Sequence, residues 1–130
     1  MIHMNDIKKI LIVEDDLFLR DIYIETLSTE KFKVEAAKNK EETLTALQKN
    51  KYDLILMDVL MDGVSGFELA KHLRSQNIID NSTRLVFFTN LDDEESRKKA
   101  VELRAGFMLK SDSTPDVLEE KITRILADVN

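Results

Sequence analysis

The sequence predicts an α/β fold in which a parallel sheet is covered by helices on both faces. Short β-rich apolar runs alternate five times with amphipathic stretches of helical length. The clearest of the runs, LILM and LVFF, are continuously apolar, as strands buried on both faces are. Residues able to do chemistry stand directly after these runs, at what would be the carboxyl ends of the strands.

Ile10 to Val13 forms the first strand, and the helix after it carries Phe18, Leu19, Ile22, Tyr23 and Leu27 at three- and four-residue spacings. The second strand is Lys33 to Ala37. Asn39, with Glu42 three residues on, resembles a capping box opening a helix that turns Leu44, Ala46 and Leu47 inward. Leu54 to Met57 is the third strand, and Asp62-Gly63 and Gly66 mark the loop before a helix with Phe67, Leu69, Ala70 and Leu73. A loop from Asn77 to Thr83 leads to the fourth strand, Leu85 to Phe88. Asp92, Asp93, Glu94 and Glu95 fall in the first turn of the next helix, where the dipole favours carboxylates, and that helix ends near Arg104. Phe107 to Leu109 is the last strand; Thr114 and Pro115 then supply an N-cap and an N1 proline for a helix running towards Val129.

With 130 residues, 43% of them hydrophobic, the chain suits one domain over residues 1–130, with residues 1–6 a frayed terminus. An excess of 25 acidic over 19 basic residues, a net charge of −6, argues against direct nucleic-acid binding. The absence of cysteine excludes disulfides, thiolate metal sites and a cysteine nucleophile. No apolar stretch approaches the roughly 20 residues of a bilayer-spanning helix, and no basic-then-apolar leader opens the chain. The expected location is cytoplasmic, with no membrane partner.

The predicted strand ends gather Glu14, Asp15, Asp16, Asp58, Thr89 and Lys110. Carboxylates after the first strand repel a bare phosphate but hold Mg²⁺, which bridges to one; a nucleotide or FMN site would need a Gly/Ser/Thr-rich loop there. No other evident counter-charge offsets Glu14 and Asp15. Asp58 can act as metal ligand and as nucleophile. An acyl phosphate on it would meet the Lys110 charge and the Thr89 hydroxyl. Asp16 is better suited to cap a helix than to bind metal, Asp53 to occupy a turn, and neither His3 nor His72 to ligate a metal.

These residues resemble the receiver domain of two-component response regulators, over about residues 7 to 128. Glu14 and Asp15 match the family's paired acids, Asp58 its phosphoacceptor, Thr89 its switch hydroxyl, Phe107 its switch aromatic and Lys110 its lysine. The resemblance implies a flavodoxin-like, doubly wound, five-stranded sheet in the order 2-1-3-4-5, with the first and fifth helices on one face. It also implies that Asp15 and Asp58 ligate Mg²⁺ directly and Glu14 through a water, the backbone carbonyl of Leu60 completing the protein ligands. The phosphodonor would be a sensor histidine kinase or phosphotransfer protein. A downstream protein would read the face built from the fourth helix, fifth strand and fifth helix. The protein would be a signalling domain that assists its own phosphorylation and dephosphorylation, not an enzyme acting on another substrate. A phosphorylation-dependent homodimer stays open, as does the choice between a stand-alone, chemotaxis-regulator-like receiver and a frame continuing past Asn130.

In the family, the side chains two residues after the phosphoacceptor and two after the switch hydroxyl flank the hydrolytic water; here they are Leu60 and Leu91. Both are apolar, which implies slow dephosphorylation. Asp62 stands where the family commonly has proline, so a more mobile loop is expected there. Ser111 replaces the proline after the lysine, where the family's peptide bond is often cis; a cis Lys110–Ser111 bond would cost about 2.5–4 kcal/mol. The stretch Glu102 to Phe107 is one residue short of the usual approach to the last strand. An aspartyl-phosphate phosphatase would need an acid where Leu60 stands, and a degenerate receiver used only for binding would have lost an acid, Thr89 or Lys110.

Overall fold

The computed structural model of the chain describes residues 7–127; His3 and Val129 lie outside the described residues. The elements are β1 (Lys8–Val13), α1 (Leu17–Leu27), β2 (Phe32–Ala37), α2 (Lys40–Lys49), β3 (Leu54–Met57), α3 (Gly66–Ser75), β4 (Arg84–Thr89), α4 (Glu94–Glu102), β5 (Gly106–Leu109) and α5 (Pro115–Ala127). All five strands are parallel, in the order β2-β1-β3-β4-β5.

Successive residues of the central strands point to opposite faces, so each strand feeds two cores. Leu11, Val13, Ile55, Met57, Leu85 and Phe87 pack with Leu69 and Leu73 of α3 and Ala100 of α4, and α2 adds Leu44, Ala46 and Leu47. Ile10, Ile12, Leu54, Leu56, Val86 and Phe88 pack with Tyr23 and Leu27 of α1 and Leu118, Ile122 and Leu126 of α5. Helices α1 and α5 therefore share one face, as the resemblance implied.

Helix starts are fixed by side chains that accept otherwise unpartnered amide hydrogens. Asp16 takes the Leu19 amide at 3.0 Å, Ser65 the Glu68 amide at 3.1 Å and Asp93 the Ser96 amide at 2.8 Å. Asn39 accepts from Glu42 at 2.8 Å, while Glu42 reaches back to the Lys38 amide at 2.9 Å, one residue before the cap of a standard capping box. The Thr114 carbonyl accepts the Leu118 amide at 2.8 Å, and Pro115 opens α5.

Several expectations are corrected. Phe18, placed with the apolar positions of the first helix, is 72% exposed, because Tyr23 and Leu27 already set the buried face of α1. Only Glu94 and Glu95 lie in the first turn of α4; Asp93 caps it, and Asp92 stands outside, paired with Arg97 at 2.9 Å. Asp53 is more than a turn residue, since its carboxylate accepts the Lys9 amide at 2.8 Å and fastens β1 to the start of β3. No peptide bond among the described residues is cis, so Lys110–Ser111 is trans and opens a 3₁₀ turn, Lys110–Asp112. The short approach to β5 is accommodated by Arg104 at φ 55°, a left-handed position more often held by glycine.

Gly66 was expected in a loop and is instead the first residue of α3. A Cβ there would stand 2.1 Å from the Asp58 carbonyl oxygen and 2.9 Å from the Val59 Cα, so only glycine lets the helix press against the segment that follows β3. Replacing Gly66 by alanine should therefore cost about 1–3 kcal/mol, read as a lower urea midpoint at unchanged m-value. An unaltered midpoint would show that the close approach is not needed.

Candidate metal and phosphoacceptor site

The in-register pair Val13–Met57 ends β1 and β3 at one level, which brings Glu14 and Asp58 side by side just beyond, while β4 continues past the Met57–Phe87 pair to Thr89. Thr89 pairs with Leu109, so Lys110 leaves β5 at the same edge. The Lys110 Nζ lies 2.6 Å from Glu14 Oε1 and 2.9 Å from Asp58 Oδ2. Glu14 is 2% and Asp58 7% exposed, so this is a largely desolvated arrangement of one cation between two carboxylates. Lys110 is thus the counter-charge that the acids lacked on sequence grounds; it comes from 96 residues away along the chain.

The other Asp58 oxygen, Oδ1, accepts the Leu60 amide at 3.2 Å. Glu14 Oε2 accepts the Asp16 amide at 3.2 Å, and Asp15 Oδ2 accepts the Asp62 amide at 2.9 Å. Oxygens of Glu14, Asp15 and Asp58 all lie within 4.8 Å of one another. Three converging carboxylates with one ammonium leave two negative charges uncompensated, a hard oxygen donor set of the kind Mg²⁺ takes. Asp16 is absent from this group and caps α1.

Thr89 is fully buried, and its hydroxyl oxygen accepts the Leu91 amide at 3.2 Å, leaving its own proton to donate. Phe107 is half-buried against the α3–α4 core, with the Arg97 guanidinium 4.8 Å above its ring. Leu60 is 61% exposed at the mouth of the site, and Leu91 packs partly against the core. Sequence reasoning missed Asn90, whose Oδ1 accepts the Ser111 amide at 2.9 Å and ties the turn carrying Lys110 to the end of β4. A polar residue after a strand was visible there, but nothing in the sequence names its partner.

Burial raises the Glu14 pKa above its ordinary value; the Lys110 hydrogen bond opposes this and the Asp58 charge adds to it. For Lys110, burial pulls downward, but the hydrogen bonds to Glu14 and Asp58 outweigh it and hold the ammonium above its ordinary value.

The chain belongs to the response regulator receiver domain family, whose model matches residues 10–123. The transcriptional regulatory protein CrdR of Helicobacter pylori is 33% identical over 121 residues, which are 93% of this chain and 56% of the relative. The chemotaxis protein CheY of Halobacterium salinarum is 28% identical over 113 residues, 86% of this chain and 92% of that protein. The chain thus spans about half the length of some curated relatives, 56% for CrdR and 52% for the regulatory protein VanRB of Enterococcus faecalis. Among solved structures, a two-component response regulator from Clostridium difficile superposes with a TM-score of 0.84 at 25% identity, covering 95% of this chain and 98% of the other. The chemotaxis protein CheY4 of Vibrio cholerae gives 0.82 at 28% identity, covering 91% and 98%.

The protein is accordingly a phosphoacceptor signalling domain of a two-component system. Receiver domains use Mg²⁺ and interact with histidine kinases or phosphotransfer proteins. Among the described residues, no helix is long and apolar enough to cross a membrane.

Two predictions follow from the uncompensated charge. Saturating Mg²⁺ at about ten times its Kd should add about 1.4 kcal/mol of stability, and Asp58→Asn should raise the Tm in metal-free buffer by removing one repelling carboxylate. A melting curve indifferent to both would contradict the shared acidic site. The second concerns pH. Because the folded-state pKa of Glu14 lies above its unfolded value, the fold binds more protons than the unfolded chain between the two. The Glu14 contribution is therefore present below about pH 4.5 and is lost as pH rises through the folded pKa. In metal-free buffer, Glu14→Gln should gain stability relative to the parent as pH rises from about 4.5 towards neutrality; a constant difference would contradict it.

Proposed function

We propose that Asp58 is the residue that takes the phosphoryl group, and that Glu14, Asp15, Thr89, Phe107 and Lys110 act on it in distinct roles. What supports this most directly is the convergence of the Glu14, Asp15 and Asp58 oxygens within 4.8 Å beside a lysine ammonium 2.9 Å from Asp58. Asp15, Asp58 and the Leu60 carbonyl, with Glu14 through a water, would hold Mg²⁺, which supplies positive charge against the phosphoryl oxygens when bound.

A carboxylate oxygen of Asp58 attacks phosphorus in line. A P–O bond forms as the P–N bond of the donor phosphohistidine breaks, and the electron pair returns to the imidazole nitrogen. The Leu60 amide on Oδ1 fixes the carboxylate plane during the attack. Lys110 exchanges Asp58 Oδ2 for a phosphoryl oxygen while keeping Glu14, so its charge follows the one being transferred. Thr89 turns its hydroxyl proton towards another phosphoryl oxygen. That movement clears space beside β5 into which Phe107 swings from beneath Arg97, altering the face of α4, β5 and α5.

The phosphodonor is a sensor histidine kinase or phosphotransfer protein, and the altered face recruits a downstream protein or a second copy of the chain. The chain acts as a single receiver unit over residues 1–130, in the cytoplasm, and assists its own phosphorylation and dephosphorylation.

Incubation with a small phosphodonor should add one phosphoryl group to the intact mass only when Mg²⁺ is present and Asp58 is intact. Undiminished phosphorylation in excess chelator, or in Asp58→Asn, would sink the assignment. Leu60 and Leu91 flank the path of a hydrolytic water and cannot orient one, so the phosphorylated protein should persist. Phosphate release from Leu60→Asn with Leu91→Glu should be several-fold faster than from the parent; an equal rate would remove these leucines from the account.

A further inference from the structure

The acidic edge of the sheet is opposed, at the other end of the strands, by a concentration of arginine. The chain has six arginines, and four of them, Arg74, Arg84, Arg104 and Arg124, line one cleft of about 740 Å³ at the starts of β4 and β5 beside α5. No acidic side chain lines the cleft among the described residues. Arg84 and Thr89 begin and end β4, so the cleft lies about 17 Å from the phosphoacceptor edge.

The walls are held in place by Arg74. Its guanidinium donates to the carbonyls of Leu103 at 3.1 Å, Arg104 at 3.2 Å and Asp80 at 3.3 Å, clamping the turn after α4 to the loop after α3. Arg104 stands at φ 55°, a strained position for a residue with a Cβ, and its exposed side chain makes no ion pair among the described residues. Arg124 is bridged by Glu120 at 2.8 Å, an exposed pair that is readily exchanged for another anion. Burial, and next the charge of Arg104, hold the Arg74 pKa below its ordinary value, with Asp80 opposing. Like charge is therefore gathered around one concave volume in a protein whose net charge is −6.

We propose that this cleft binds a small ligand carrying two or more linked phosphate groups. Guanidinium forks match phosphate oxygens bidentately, and the exposed guanidiniums of Arg104 and Arg124, on one volume, can each take a phosphate of one ligand. The volume falls within the range of sites for nucleotide-sized ligands. Asn81 and Ser82 add neutral hydrogen-bonding groups at the rim, and the half-buried Ile125 adds apolar surface.

The test is calorimetric titration of the whole chain with tripolyphosphate and, separately, ATP, at low ionic strength and in excess chelator, so that no phosphate is held through Mg²⁺ at the opposite edge. The parent should bind saturably at one site, and Asp58→Asn should bind equally well. Arg104→Gly with Arg124→Gln, in which glycine relieves the left-handed strain and both side chains are exposed, should melt no lower than the parent yet bind at least about tenfold more weakly. Tight binding of tripolyphosphate and ATP alike would assign recognition to the phosphates, and tighter binding of ATP would add a contact from Ile125. Absence of saturable binding, equal binding by the double variant, or loss of binding in Asp58→Asn would overturn the proposal.

Discussion

The Lys110 ammonium, 2.6 Å from Glu14 and 2.9 Å from Asp58, is the contact on which the functional edge of the molecule depends. Charge in a poorly solvated position costs several kcal/mol unless it is paired, and both carboxylates are buried here. One lysine between them pairs with both without neutralising the site. The remaining negative charge is what makes a divalent cation welcome.

That lysine is delivered by several separate devices. Parallel register brings the ends of β1 and β3 to one level, β4 runs two residues further to Thr89, and β5 runs one residue beyond Met108 to pair Leu109 with Thr89. The trans Lys110–Ser111 peptide enters a 3₁₀ turn whose Ser111 amide is held by Asn90. Beneath Asp58, the glycine at the start of α3 lets the helix approach to within contact of the Asp58 carbonyl. The arginine-lined cleft at the opposite end gives the sheet an electrostatic polarity that the net charge of −6 conceals.

Most of the fold was legible because strand and helix periods are written in the apolar residues. All five strands and five helices occur where the runs and spacings put them, with differences at the ends. β1 and β4 extend to Lys8 and Arg84, since backbone pairing continues past the apolar run into residues whose side chains reach solvent. Phe18 was misplaced because helical spacing cannot say where the buried stripe stops when the first turn overhangs the sheet. At the site, Asp58, Thr89 and Lys110 were visible as polar residues closing apolar strands. Their partners were not. The Lys110 bridge, the Asn90–Ser111 bond and the contact of Gly66 with the Asp58 carbonyl are set by strand order and helix approach, which local sequence does not encode.

The central claim is that the transferred phosphoryl group rests on the carboxylate beside this lysine. Borohydride reduces an acyl phosphate but leaves free carboxylates and phosphate esters intact, so it converts a phosphorylated aspartate to homoserine. Peptide mapping of the phosphorylated and reduced protein should find homoserine at position 58 and nowhere else. Homoserine at Asp15 or another acid, or a phosphoryl group that survives reduction on Thr89 or a serine, would contradict the account.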